Sequence, residues 1–270
     1  MLAPLLRRLA PVLLATLAVA TPTVAAAKPE KVAKAAKAGT ASAPRVAKTA
    51  AKPSLDPQHL DVPGTAGAYF VPPRGKGLRP VIMYLHGRGG NPEEDCKKWA
   101  KVASAYGWVV CPAGPEDRGG GSRGWASSPD AAQKVMDASI ATLRGKYKGR
   151  VQTRNNILVG FSEGAFIAQQ VGLKDPQKWS KWLILAASDK YWLGTSDKDL
   201  AAARAKIRRV YLLTGESDGV VENTKSVGKM LQKAHVPVKV NIVKGMGHEV
   251  PSDKMIANYK KPLAWLSTGK

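Results

Sequence analysis

The sequence predicts an α/β fold of three layers, a mostly parallel sheet between two layers of helices. Three observations carry this reading. Short continuous apolar runs recur from Phe70 to the C-terminus, stretches with helical spacing separate them, and Gly or Pro closes several of the runs. Strands that are apolar throughout, rather than alternating, belong to a parallel sheet covered on both faces. There is no internal repeat, no heptad run and no room for a large inserted cap.

The elements follow in order. Residues 80–86 form a strand closed by Gly87, and residues 93–106 carry Trp99, Val102 and Ala103 at helical spacing. Residues 108–111 form the next strand, closed by Pro112, and residues 130–147 a helix that turns Val135, Ile140 and Leu143 to the core. Residues 156–161 are a buried strand, 164–172 a helix and 182–186 a strand. Strand 209–213, helix 221–235, strand 238–243 and helix 253–266 complete the chain. In such sheets chemistry gathers beyond the carboxyl ends of the strands.

The 270 residues, 44% hydrophobic and 23% charged, suit one domain with an appendage. Residues 1–27 read as a signal peptide: Arg7 and Arg8, an apolar stretch over 9–20 broken by Pro11, then Ala25, Ala26 and Ala27. The apolar stretch is short of the roughly 20 residues that span a membrane, and an uncleaved anchor is the competing reading. The first cysteine is Cys96, which argues against a lipid attached to a Cys at a mature N-terminus. Residues 28–55 are an Ala/Lys/Pro-rich basic tether, holding Lys28, Lys31, Lys34, Lys37, Arg45, Lys48 and Lys52 with Glu30 as the acid. Such a composition buries too little apolar surface to offset chain entropy, so disorder is expected there. Residues 56–270 are the folded domain.

The formal charge is +22; nine basic residues and one acidic residue precede Ser54, leaving +14 on the rest. An exported chain of this charge is expected to adhere nonspecifically to anionic envelope polymers through the tether. A merely solvated basic surface is the alternative, and no specific nucleic-acid partner is expected. Cys96 and Cys111 fall early in a helix and at the end of the next strand. A disulfide and two free thiols are both open, since spacing does not establish geometry.

Gly160-Phe161-Ser162-Glu163-Gly164 matches G-x-S-x-G between a strand and a helix. That context suits a sharp turn exposing the Ser162 hydroxyl as a nucleophile. Of the four histidines, His59 lies near the tail, His86 shapes or packs its loop, and His235 ends a helix. His248, in a Gly-rich loop after the last strand, is placed to act as the base. Asp218, directly after a strand, is the candidate acid; Glu216 and Asp189 are its rivals. The order Ser162, Asp218, His248 is that of nucleophile, acid and base in folds with this turn. The loop His86-Gly87-Arg88-Gly89-Gly90 offers the Arg88 N–H as one oxyanion donor, and the Glu163 N–H is the other. Trp125, Tyr191 and Trp192 either line the mouth as substrate-binding aromatics or pack in the core.

The segments Leu85-His86-Gly87-Arg88-Gly89-Gly90-Asn91-Pro92, Gly160-Phe161-Ser162-Glu163-Gly164 and Gly245-Met246-Gly247-His248-Glu249-Val250-Pro251 together resemble the phospholipase/carboxylesterase family. The resemblance runs over about residues 64–268 by motif order. It implies a capless α/β-hydrolase that acts on esters or thioesters with no metal or cofactor. Glu163 and Ala165 depart from it, standing where the family pattern has Gln and a second Gly. The expected activity is carboxylic-ester hydrolysis through an acyl-enzyme, on small or polymer-borne esters. A peptidase or amidase using the same three residues, and a noncatalytic envelope-binding protein with this fold, are the competing classes.

Overall fold

The computed structural model describes residues 54–191 and 196–268. The expected signal peptide and all but the last two residues of the tether lie outside them, as does Trp192. The chain starts with two short strands, β1 (Gln58–Leu60) and β2 (Ala68–Val71), then β3 (Val81–Leu85). Helix α1 (Pro92–Ala103) leads to β4 (Trp108–Pro112). A two-residue ribbon, β5 (Glu116–Asp117) with β6 (Arg123–Gly124), precedes α2 (Pro129–Lys146). Strand β7 (Ile157–Phe161), α3 (Glu163–Lys174) and β8 (Lys181–Leu185) follow. A 3-10 turn at Asp189–Tyr191 comes before α4 (Ser196–Ala203). The chain closes with β9 (Arg209–Gly215), α5 (Val221–Lys233), β10 (Val238–Val243) and α6 (Met255–Ser267).

Eight strands form one sheet in the order β1-β2-β4-β3-β7-β8-β9-β10. The pairs β1–β2 and β2–β4 are antiparallel and the rest are parallel. All five residues of β3, β4 and β8 are buried, as strands between two helix layers must be. One face packs on α2, α3, α4 and α5 through residues such as Met136, Ile167, Leu200 and Leu231. The other packs on α1 and α6, where the Trp99 and Tyr259 rings meet at 4.9 Å.

The helices start where the sequence supplies caps. The Asn91 side chain accepts the Glu93 and Glu94 N–H groups, Pro92 opens α1, and three acids in its first turn complement the helix dipole. Ser128 and Pro129 do the same for α2. The N-terminal strand pair, the ribbon and α4 were not anticipated from the pattern. They are short, and β1 buries only Leu60 of its three residues. Cys96 and Cys111 are both buried and both free thiols. Burial, and next the Cys96 thiol beside it, push the Cys111 thiol well above its usual range.

The parallel part of the sheet starts at β3, adds β4 on one side, and crosses back to β7 on the other. The carboxyl ends of β3 and β7 therefore flank a topological switch point, where open α/β sheets form their crevice.

Candidate active site

The turn from β7 into α3 brings Ser162 out at this crevice. Ser162 has φ 55° and ψ −118°, a region that costs about 1–3 kcal/mol for a non-glycine residue. The flanking glycines permit it. A Cβ on Gly160 would lie 2.2 Å from the Gly164 carbonyl oxygen, and one on Gly164 would lie 2.2 Å from that of Leu85. The Ser162 N–H donates to Leu185 O at 3.2 Å, so β8 also holds the strained residue.

His248 reaches over from the loop after β10. Its Nε2 lies 2.9 Å from Ser162 Oγ, and its Nδ1 lies 3.0 Å from both Asp218 carboxylate oxygens. Asp218 is buried, and also accepts from Thr214 Oγ1 at 2.7 Å and from the Val220 N–H at 3.0 Å. An ionised carboxylate only accepts, so the His248 proton sits on Nδ1 and Nε2 is left to accept from Ser162. The rival acids are elsewhere. Asp189 accepts from Asn223 at 2.7 Å, and Glu216 accepts the Gly245 N–H at 3.2 Å, bracing the loop that carries His248. Phe161 packs beside the imidazole, ring centroids 4.9 Å apart.

The loop after β3 sits directly against the nucleophile: a Cβ on Gly87 would be 3.3 Å from Ser162 Cβ. Glu163 opens α3, and the first N–H groups of a helix have no intrahelical acceptor. His86 braces this loop from beneath. Its ring stacks on Trp125 at 4.9 Å, lies 2.8 Å from Gly87 O through Nδ1, and accepts the Gly114 N–H at 3.2 Å. Burial, above all, lowers the basicity of His86. The Gly89 N–H donates to Arg123 O at 2.8 Å and the Arg123 N–H returns to Gly90 O at 2.9 Å, so the ribbon pins the far side of the loop.

Trp125 corrects the idea of an aromatic at the mouth. It is fully buried behind the loop, its indole N–H donating to His86 O at 2.9 Å. An indole whose N–H finds an inside acceptor is free to bury its whole surface. The sequence reading also missed what the Glu163 side chain does. Its carboxylate, 5% exposed, accepts from the Trp125 N–H at 3.2 Å, the Ser127 N–H at 3.0 Å, Ser127 Oγ at 3.2 Å and Arg88 Nη2 at 3.4 Å. Burial pushes this carboxyl up, but the amides of Trp125 and Ser127 and the Arg88 charge outweigh it and hold it below its usual range. It thereby fastens a turn in which Ala126 and Ser127 both have φ 49°.

A cavity of about 370 Å³ opens over Ser162 and His248. Phe166, Ala186 and Val220 give it apolar wall, and Arg88, Ser127, Glu163, Ser188 and Lys190 polar wall. The arrangement provides a hydroxyl with a base in line, a carboxylate fixing that base, and a small mixed pocket at the hydroxyl.

A family model described as Phospholipase/Carboxylesterase matches residues 67–261. The fold is similar to that of esterase PE8, with TM-score 0.55 and 21% identity over 73% of this chain and 95% of that one. It is also similar to the substrate-bound fluorophosphonate-binding serine hydrolase F of Staphylococcus aureus, with TM-score 0.58 and 13% identity over 78% and 97%. A Bacillus cereus carboxylesterase aligns with TM-score 0.52 and 17% identity over 74% and 92%. No curated protein matches the chain.

Proposed function

From the premise that this chain belongs to the phospholipase/carboxylesterase family, and is a hydrolase of the α/β-hydrolase fold, we propose that it cleaves carboxylic esters through an acyl-enzyme on Ser162. The observation that carries the reading is the unbroken line from Asp218 through His248 to Ser162, with contacts of 3.0 and 2.9 Å, ending in the cavity.

In the first half-reaction Ser162 Oγ attacks the ester carbonyl while His248 Nε2 takes its proton. Asp218 stabilises the imidazolium that forms. The Arg88 and Glu163 N–H groups receive the negative charge that grows on the carbonyl oxygen, an effect worth about 2.7–4 kcal/mol per donor in enzymes of this kind. His248 then hands its proton to the departing alkoxide, leaving the acyl group on Ser162. Water deprotonated by His248 releases the acid and restores the hydroxyl. The cavity size suits a small or medium acyl group. The arginine pair, apolar stretch and alanines over residues 1–27 support export to the periplasm or the medium.

The test is hydrolysis of para-nitrophenyl esters of increasing chain length by the wild type and by Ser162→Ala. Loss of activity in the variant, with labelling of the wild type by a fluorophosphonate probe, is expected. A folded wild type that takes the probe but cleaves no ester would turn the reading toward an amidase. One that does neither would leave a binding protein.

A further inference from the structure

The cavity over Ser162 is lined by two cationic side chains, Arg88 and Lys190, and by one carboxylate, Glu163. That carboxylate is spent on its own scaffold: two backbone N–H groups, the Ser127 hydroxyl and one Arg88 nitrogen are donated to it, and its side chain is 5% exposed. Arg88 is only lightly engaged in return. Its side chain is 57% exposed, and the same Nη2 serves both Glu163 at 3.4 Å and Ser127 Oγ at 3.2 Å. A guanidinium has five N–H donors in a planar fork, so most of its capacity is not taken up by these two partners.

Lys190 approaches the same cavity from the 3-10 turn after β8 and is exposed. Its ammonium forms no ion pair among the described residues. The neighbouring Asp189 does not line the cavity; its carboxylate is turned to Ser226 and to Asn223, and the Lys190 charge acts on it only weakly beside those hydrogen bonds. Two cations line one small space and, among the described residues, its only carboxylate is turned away. A neutral acyl chain would leave both unused, whereas an anion beside the scissile ester would meet both. The +14 carried by the rest of the chain adds a field that draws anions toward it.

We propose that the preferred substrate is an ester bearing a second, anionic group, a carboxylate or a sulfonate- or phosphate-like anion, held between Arg88 and Lys190 while Ser162 attacks the carbonyl. This rests on the ester-hydrolase reading above and adds the charge class of its substrate. The anion can belong to the acid or to the alcohol half of the ester, and paired substrates separate the two.

On the acid side, mono-para-nitrophenyl adipate is compared with para-nitrophenyl hexanoate, which has the same carbon chain without the charge. On the alcohol side, para-acetoxybenzenesulfonate is compared with para-acetoxybenzenesulfonamide. The readout is the ratio of kcat/KM, anionic to neutral, corrected for spontaneous hydrolysis. We expect a ratio of about fivefold or more in at least one pair, the scale of one partly exposed ion pair. In Lys190→Glu that ratio should fall about tenfold, and in Lys190→Ala by less, since reversal adds repulsion. High salt should lower the wild-type ratio as it screens the charges. Ratios near one in both pairs, or a preference unchanged in Lys190→Glu, would overturn the proposal while ester hydrolysis stood. Failure of the wild type to cleave any of the four esters would instead overturn the ester-hydrolase reading.

Discussion

Glu163 accepts the Ser127 N–H at 3.0 Å, tying the residue after the nucleophile to a turn 36 positions earlier in the chain. Through that bond and its partners, α3, the Trp125–Ser127 turn and the Arg88 loop become one rigid rim. The rim carries the two N–H groups proposed to receive the oxyanion, so its stiffness is a catalytic matter as much as a structural one.

Removing the carboxylate should therefore cost both stability and rate. Glu163→Ala leaves the Trp125 and Ser127 amides without their acceptor; the loss at buried Trp125 costs about 1–3 kcal/mol, whereas the exposed Ser127 amide can turn to water. Glu163→Gln keeps one oxygen but turns an NH₂ group on donors, so an intermediate loss is expected. Acid should erase the advantage. A carboxyl held low in the folded state stabilises it above the unfolded value of about 4.3, and the contribution disappears as pH falls through the folded value. The gap in Tm between wild type and Glu163→Gln should be wide at neutral pH and narrow well below that range. A gap independent of pH would mean that the carboxylate charge contributes nothing.

A second prediction concerns the acid that orients His248. Asp218→Asn can present an N–H to Nδ1, which favours the wrong tautomer; a kcat loss of about 10⁴ is expected with little change in Tm. Thr214→Val probes the layer behind it, where Thr214 Oγ1 donates to Asp218 at 2.7 Å. Deleting that bond should lower kcat/KM by about five- to tenfold, the value of roughly 1 kcal/mol. A loss of less than about twofold would reduce Thr214 to a packing role.

Strands β3, β4, β7, β8 and β9 were legible because each is a five- to seven-residue, largely apolar run, most of them with Gly or Pro at or just after the end. The pair β1–β2 was not, because Gln58 and His59 are exposed and leave no pattern. Ser162, His248 and Asp218 could be singled out because each follows a strand and the three fall in an order the turn motif implies. The support of Glu163 was invisible because its partners stand 36, 38 and 75 positions away, joined only by the fold. The choice between mouth and core for Trp125 stayed open in the sequence for a related reason: its inward acceptor, His86 O, belongs to a loop 39 positions away.

The cysteines give a chemical check on the second core. Both are fully buried, and burial together with Cys96 disfavours the Cys111 thiolate, the reactive form. A thiol reagent should find no thiol in the native protein and two after unfolding without reductant. Zero after unfolding would show that the pair had closed to a disulfide.

The last prediction separates the basic N-terminal segment from the chemistry. Residues 28–53 hold seven basic residues and no aromatic one, whereas every group of the proposed mechanism lies between Arg88 and His248. Deleting 28–53 should therefore leave kcat/KM for a soluble neutral ester unchanged. Adsorption to an anionic polymer such as polygalacturonate should weaken, with a shallower salt dependence, because fewer counterions are released per bound chain. Hydrolysis of an ester borne on that polymer should fall with adsorption, through KM rather than kcat. The KM effect distinguishes a tether that concentrates the enzyme on its substrate from a segment that matters only for export. A collapse of kcat on the soluble ester would place the segment within the catalytic unit and refute this division of labour.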